Sequence, residues 1–175
     1  MRDAAQFVRH IVLVGMMGAG KTTVGRGLAS RLGLPWHDSD AEIEATSGLT
    51  VRQLQDRDGA EAMHDLESAH LLHALDDPNP SVISAAASVI DVEGCRQALG
   101  SPNVAMVWLR ASSAVLATRF PRDNHRPSFG PSPLAFLEEQ ARRRDPLIRA
   151  LDPIVIDVDR IGPDEAITRV IEALG

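Results

Sequence analysis

The 175-residue chain is 44% apolar and 24% charged, an ordinary globular balance with length enough for one domain and a sizeable core. Its net charge of −6 argues against nucleic acid or an anionic membrane as the main partner, and no apolar stretch approaches the roughly 18 residues that span a bilayer. The single Cys95 excludes an internal disulfide, and residues 1–10 carry two arginines and an aspartate without an apolar run, so a cytoplasmic protein without a signal peptide is expected; a monomer is expected as well.

The first predicted element is a buried strand, Ile11-Val12-Leu13-Val14, an apolar and β-branched run. It leads into Gly15-Met16-Met17-Gly18-Ala19-Gly20-Lys21-Thr22, which fits G-x-x-x-x-G-K-[ST]. In such a P-loop the backbone N–H groups cradle phosphates, and the lysine ammonium reaches the terminal ones. Gly15, Met17, Gly18, Ala19, Gly20, Lys21, Thr22 and Thr23 are therefore the candidate nucleotide-binding residues. Lys21 is the only lysine among eighteen basic residues, at the one position where a compact ammonium fits and a broad guanidinium does not. Val24, Leu28, Ala29 and Leu32 then recur at helical spacing, and Gly33 stops the helix. Strand, glycine loop and helix N-terminus together form an anion site, so a nucleoside triphosphate is the predicted ligand.

Pro35-Trp36-His37-Asp38 reads as a second strand. Helical stretches follow at 41–45, 51–55 and 61–75, the last with Met63, Leu66, Ala69 and Leu72 or Leu75 at three- to four-residue spacing. Residues 76–80 read as a loop, 81–84 as the third strand, 92–99 as a helix, 104–109 as the fourth strand and 113–119 as a helix. The segment 121–133, rich in Pro, Gly, Ser and Asn, suits a mobile lid. A helix at 133–144, a strand at 154–157 and a helix at 164–174 complete the chain. The alternation predicts an α/β fold, a five-stranded parallel sheet with right-handed crossovers and helices on both faces.

Asp38-Ser39-Asp40 ends the second strand, where the carboxyl edge of an α/β sheet faces the ligand crevice. One acid can hold Mg²⁺ through water while the other orients and deprotonates an attacking hydroxyl. The plainer role is an N-cap by Ser39 or Asp40. Arg119, Arg122 and Arg126 flank or lie in the lid, where they could close over phosphates. Arg142-Arg143-Arg144 ends its predicted helix, so the dipole accounts for two of them and at most one or two point inward. His64, His70 and His73 are expected on solvated helix faces, and Cys95 in the core.

Over residues 11–67, and especially GMMGAGKTTVGRGLASRLGLPWHDSDAEIE, the chain resembles the shikimate kinase family, and later blocks extend the likeness over nearly its whole length. The resemblance implies the P-loop NTPase fold of the nucleoside-monophosphate-kinase type in one domain over 1–175, with a lid at about 121–133 and substrate-binding helices at about 41–75. It implies ATP and Mg²⁺, with Lys21 a catalytic residue on the ATP phosphates, Thr22 on ATP and the metal, and Asp38 helping to hold the metal. Asp40 would bind acceptor hydroxyls and serve as base, and Arg126 would be the catalytic lid arginine. Arg119 and Pro163 would lie on the nucleotide side, and Arg144 on an acceptor carboxylate.

The chain departs from the family on the acceptor side. The family's Gly-Gly-Gly after the third strand reads Ala85-Ala86-Ala87, its Phe-Arg reads Met63-His64, and a pocket aromatic reads Gln55. Losing a bidentate arginine contact or crowding the wall with Cβ atoms each costs roughly 1.5–3 kcal/mol. The leading expectation is therefore an ATP-dependent kinase for a cyclitol, sugar or sugar-acid-like acceptor other than shikimate. Its acceptor site would comprise Asp40, His64, Ala85, Ala86, Ala87 and Arg144. A true shikimate kinase and a catalytically inactive ATP-binding regulator are the alternatives.

Overall fold

The apolar runs form five strands in a computed structural model that describes residues 9–119 and 132–175. These are β1 (His10–Val14), β2 (Trp36–Asp38), β3 (Val82–Ser84), β4 (Val104–Arg110) and β5 (Ile154–Asp157). They pair in the order β2-β3-β1-β4-β5, each pair parallel. Side chains alternate along a strand, so Ile11, Leu13, Val107 and Leu109 enter one core layer, and Val12, Val14, Met106 and Trp108 the other.

Helices α1 (Lys21–Leu32), α5 (Ser113–Thr118) and α7 (Pro163–Leu174) cover the first layer. Helices α3 (Val51–Leu75) and α4 (Glu93–Leu99) cover the second, where Cys95 is buried. Helix α6 (Pro133–Arg149) serves both, through Leu137 in one layer and Ile148 in the other. Helix α2 (Ser39–Ser47) packs on α3 around a small separate cluster of Ile43, Val51, Leu54 and Met63. Strand order reverses direction about β1, so the segments leaving β1, β2 and β3 open together at the carboxyl edge of the sheet.

Several elements run further than the sequence predicts. Helix α2 starts earlier because Asp38, rather than Ser39 or Asp40, caps it, accepting the Ala41 N–H at 3.1 Å. The stretches predicted at 51–55 and 61–75 join into α3, entered through a Thr50–Gln53 capping box and kinked at Gly59, whose φ of 91° a residue with Cβ rarely adopts. A short 3₁₀ segment, Ala87–Asp91, precedes α4. Helix α6 continues through Pro146 to Arg149, so Arg142, Arg143 and Arg144 lie in its body and the C-terminal dipole does not account for them.

The histidines divide. His73 is exposed, but the His70 side chain is only 10% exposed, against the expectation of a solvated face. Its Nε2 lies 2.8 Å from one Glu42 oxygen, and His37 Nδ1 lies 2.8 Å from the other, so this trio fastens α3 to α2 and β2. The expected lid at 121–133, with Arg122 and Arg126, lies outside the described residues except for Ser132 and Pro133, which cap and begin α6.

Candidate active site

The loop after β1 is held in shape by glycine. At Gly15 φ is +150°, and a Cβ would stand 2.6 Å from the Leu109 carbonyl oxygen. Helix α1 then follows Gly20, its N-cap, with no side chain capping it and no acid in its first turn, which leaves its N–H groups and dipole for an anion. Lys21 Nζ donates to the Gly15 and Met16 carbonyls at 2.7 and 3.3 Å, which holds the ammonium over the loop. Ser84 Oγ donates to the Lys21 carbonyl at 3.1 Å and accepts from Trp36 Nε1 at 3.0 Å, tying this helix end to β2 and β3.

Thr22 Oγ1 donates to Asp38 Oδ2 at 2.9 Å, while Asp38 Oδ1 accepts the α2 cap bond. Each carboxylate oxygen keeps a lone pair, and the hydroxyl oxygen keeps its own. Two hard oxygen donors at the mouth of a phosphate cradle fit Mg²⁺, which keeps several waters and takes only one or two carboxylates. Arg119 closes α5, and its Nη2 donates to the Val158 carbonyl at 2.9 Å.

A cavity of about 640 Å³ runs from this loop to α6, within the range of small-molecule sites. Met17, Gly18, Gly20, Lys21, Thr22, Thr23, Asp38 and Arg119 line its nucleotide end. Asp40, Gln55, Met63, His64, Ala85, Ala86, Ala87 and Arg144 line the other, so the structure brings both halves of the predicted site around one space. Among the candidates, Gly15 and Ala19 sit behind the wall, and Pro163 begins α7 without lining the cavity. Arg126 lies outside the described residues.

At the acceptor end, the Ala85 N–H continues the sheet by donating to the Leu13 carbonyl at 3.1 Å. Ala86 is extended, with φ −64° and ψ 150°, and none of the three alanines has a positive φ. Alanine in place of glycine therefore requires no unusual backbone, and its consequence is confined to methyl groups on the wall. Arg144 is 7% exposed and grips Asp91 with Nε at 3.1 Å and Nη2 at 2.7 Å. Arg143 Nη2 donates to the same Asp91 oxygen at 2.8 Å. Burial pushes the Asp91 carboxyl up, but Arg144 and then Arg143 outweigh it and hold the group below its ordinary value. Burial, helped by Arg144, lowers His64 and favours its neutral imidazole.

Three residues of this wall escape sequence reasoning. Glu67 is 8% exposed, and burial raises its carboxyl to about 7, with Asp40 adding repulsion, although the Ser88 hydroxyl donates to it and Arg144 pulls the other way. Its place four residues after Met63 is the signal that could have found it. Ser88 directly follows the alanine triplet, and Arg143 is one of two arginines that the sequence leaves without a role beside Arg144.

Comparison with known proteins bears on this geometry. The shikimate kinase family model matches residues 17–175. The shikimate kinase of Ruegeria pomeroyi is 37% identical over 98% of this chain and 87% of its own length. That of Thermobifida fusca is 38% identical over 89% of this chain and 88% of its own. The solved shikimate kinase of Acinetobacter baumannii, in complex with shikimate, superposes with a TM-score of 0.88 at 28% identity, covering 98% of this chain and 96% of that one. The chain belongs to the shikimate kinase family and is an ATP- and Mg²⁺-dependent kinase that phosphorylates a hydroxyl group.

Proposed function

We propose that the acceptor is shikimate and that the chain transfers the γ-phosphoryl of ATP to one of its ring hydroxyls. The names of the curated relatives and the shikimate-bound homologue support this over the different acceptor expected from the sequence. The observation that carries it is Arg144, a buried guanidinium set in the wall of the cavity that also holds Lys21 and Asp40.

Asp40 orients the acceptor hydroxyl and takes its proton as the oxygen attacks, as a positioned carboxylate can. Lys21 and the N–H groups of the Gly15 to Thr23 loop stabilise charge on the transferring group. Thr22 and Asp38 would hold Mg²⁺, which would supply positive charge to offset that of the phosphates. Arg119 and Pro163 belong to the nucleotide side and Arg126 to the lid, while Arg144, His64 and Ala85, Ala86 and Ala87 shape the acceptor end. One domain over 1–175, working as a monomer on nucleotide and a small acceptor, completes the reading.

A second reading, a cyclitol or sugar acid other than shikimate, is favoured by the alanine methyl groups on the wall and the neutral-leaning His64. An inactive regulator has no use for Asp40. ADP release measured over shikimate, cyclitols, sugar acids and aminoglycoside-like alcohols separates all three. Shikimate with a Michaelis constant of about 1 μM–1 mM supports the first reading. Turnover only of another alcohol supports the second, and turnover of none the third.

A further inference from the structure

Consecutive residues on a helix point about 100° apart, so Arg143 and Arg144 have no intrinsic reason to share a target. Both nevertheless line the cavity, and their Nη2 atoms meet on one oxygen of Asp91, at 2.8 and 2.7 Å. Asp91 belongs to the 3₁₀ segment after β3 and is not itself among the lining residues, so it gathers the two guanidinium groups from behind the wall. Two cations on one carboxylate leave a net positive charge. Arg144 spends its Nε–Nη2 edge on Asp91, and Arg143 spends one Nη2 contact, so each retains donors for a second acceptor. His64, on α3, lines the same cavity, and desolvation and then the charge of Arg144 lower its pKa.

We infer that Arg143, drawn beside Arg144 by Asp91, adds a second guanidinium to the acceptor-carboxylate contact that the family resemblance gives to Arg144, with Arg143 as a specificity-determining residue and Asp91 as its positioning residue. This deepens the reading that the acceptor is shikimate. It also gives a physical account of how a pocket with His64 in place of an arginine keeps a second positive contact.

Calorimetric binding of shikimate, its methyl ester and cyclohexene-1-carboxylate tests the subsite apart from turnover. Arg143→Gln is expected to weaken both acids about 5–20-fold, the partly exposed charge reducing the effect, and to leave the ester unchanged. Asp91→Asn is expected to weaken the acids similarly, and Asp91→Glu to restore part of the loss. Thermal melting of each variant separates this from misfolding, which would weaken acid and ester alike. Equal acid binding by parent and Arg143→Gln overturns the inference, as does tighter acid binding by Asp91→Asn, which would make Asp91 a competitor for the arginines. If the parent binds the acids but does not phosphorylate shikimate, the proposed reaction fails and the subsite stands. If the parent binds neither acid, both fail.

Discussion

The two ends of the cavity are built in different ways. The nucleotide end is mostly backbone and contiguous sequence: nine residues from Gly15 to Thr23 form the loop and helix start, and Lys21 reaches back to its own loop's carbonyls. The acceptor end is assembled by side chains from four segments: Asp40 on α2, Met63, His64 and Glu67 on α3, Ala85 to Ser88 after β3, and Arg143 and Arg144 on α6. A backbone-built site tolerates few substitutions, because a Cβ at Gly15 would meet a carbonyl oxygen at 2.6 Å. A side-chain-built site can be respecified one residue at a time, as the unstrained alanines at 85–87 illustrate.

The contrast predicts unequal mutational effects. Lys21→Ala should remove about two charge-assisted bonds to phosphate, roughly 3–6 kcal/mol of nucleotide affinity at about 1.5–3 kcal/mol each, with the fold intact. Calorimetry with Mg-ATP reads this directly, and equal affinity in mutant and parent would remove Lys21 from the phosphate site. Asp40→Asn, at the acceptor end, should lower turnover by roughly 10²–10⁴ while ATP affinity stays within about twofold. A matching loss of ATP affinity would place Asp40 with the nucleotide end and break the division.

The same contrast explains what the sequence made legible. The P-loop, the five strands and the pairing of Asp38 with Asp40 are local patterns, and each appears where periodicity and motif put it. The reach of α6 did not, because Arg-Asp-Pro-Leu looks like a helix end, yet Ile148 is 1% exposed in the core and tertiary packing carries the helix past Pro146. The sequence offers Ser39 or Asp40 as the cap on α2 because it does not say which residue still has extended φ and ψ, and Asp38 does. Arg143, Asp91 and Ser88 were illegible for another reason. Their roles depend on contacts 52 residues apart, for Arg143 with Asp91, and 21 apart, for Ser88 with Glu67, and no local pattern carries such pairings.

The seam between the two ends can be probed at Gly25 on α1. A Cβ there would lie 2.3 Å from Ser84 Oγ and 2.8 Å from Trp36 Nε1, the pair that ties the start of α1 to β2 and β3. Gly25→Ala should therefore destabilise the fold by about 2–3 kcal/mol, against its better helix propensity, because the neighbours must move and their hydrogen bond with them. Denaturant unfolding measures the loss. A stability equal to or above the parent's would show that helix and sheet can separate without cost, so that the two ends are not rigidly joined.

The smallest expected effect sharpens the comparison most, because it tests whether the acceptor end carries a buried acid that is neutral until pH 7. Glu67 sits at 8% exposure beside Asp40, and burial raises its carboxyl from an ordinary 4.5 to about 7. In the unfolded chain the same group releases its proton near 4.5, so between these values the folded state binds more protons than the unfolded one. Stability must then fall as pH rises through that window, and the deficit persists above it. Glu67→Gln removes the ionisation while keeping an acceptor for the Ser88 hydroxyl, so it should match the parent near pH 4.5 and exceed it by about 1–2 kcal/mol at pH 8. Unfolding free energies of both proteins at several pH values give this difference directly, since every other titrating group is common to the two. A difference that stays constant from pH 4.5 to 8 would mean that Glu67 titrates alike in the folded and unfolded chains, and that Ser88 and Arg144 outweigh burial at the acceptor end.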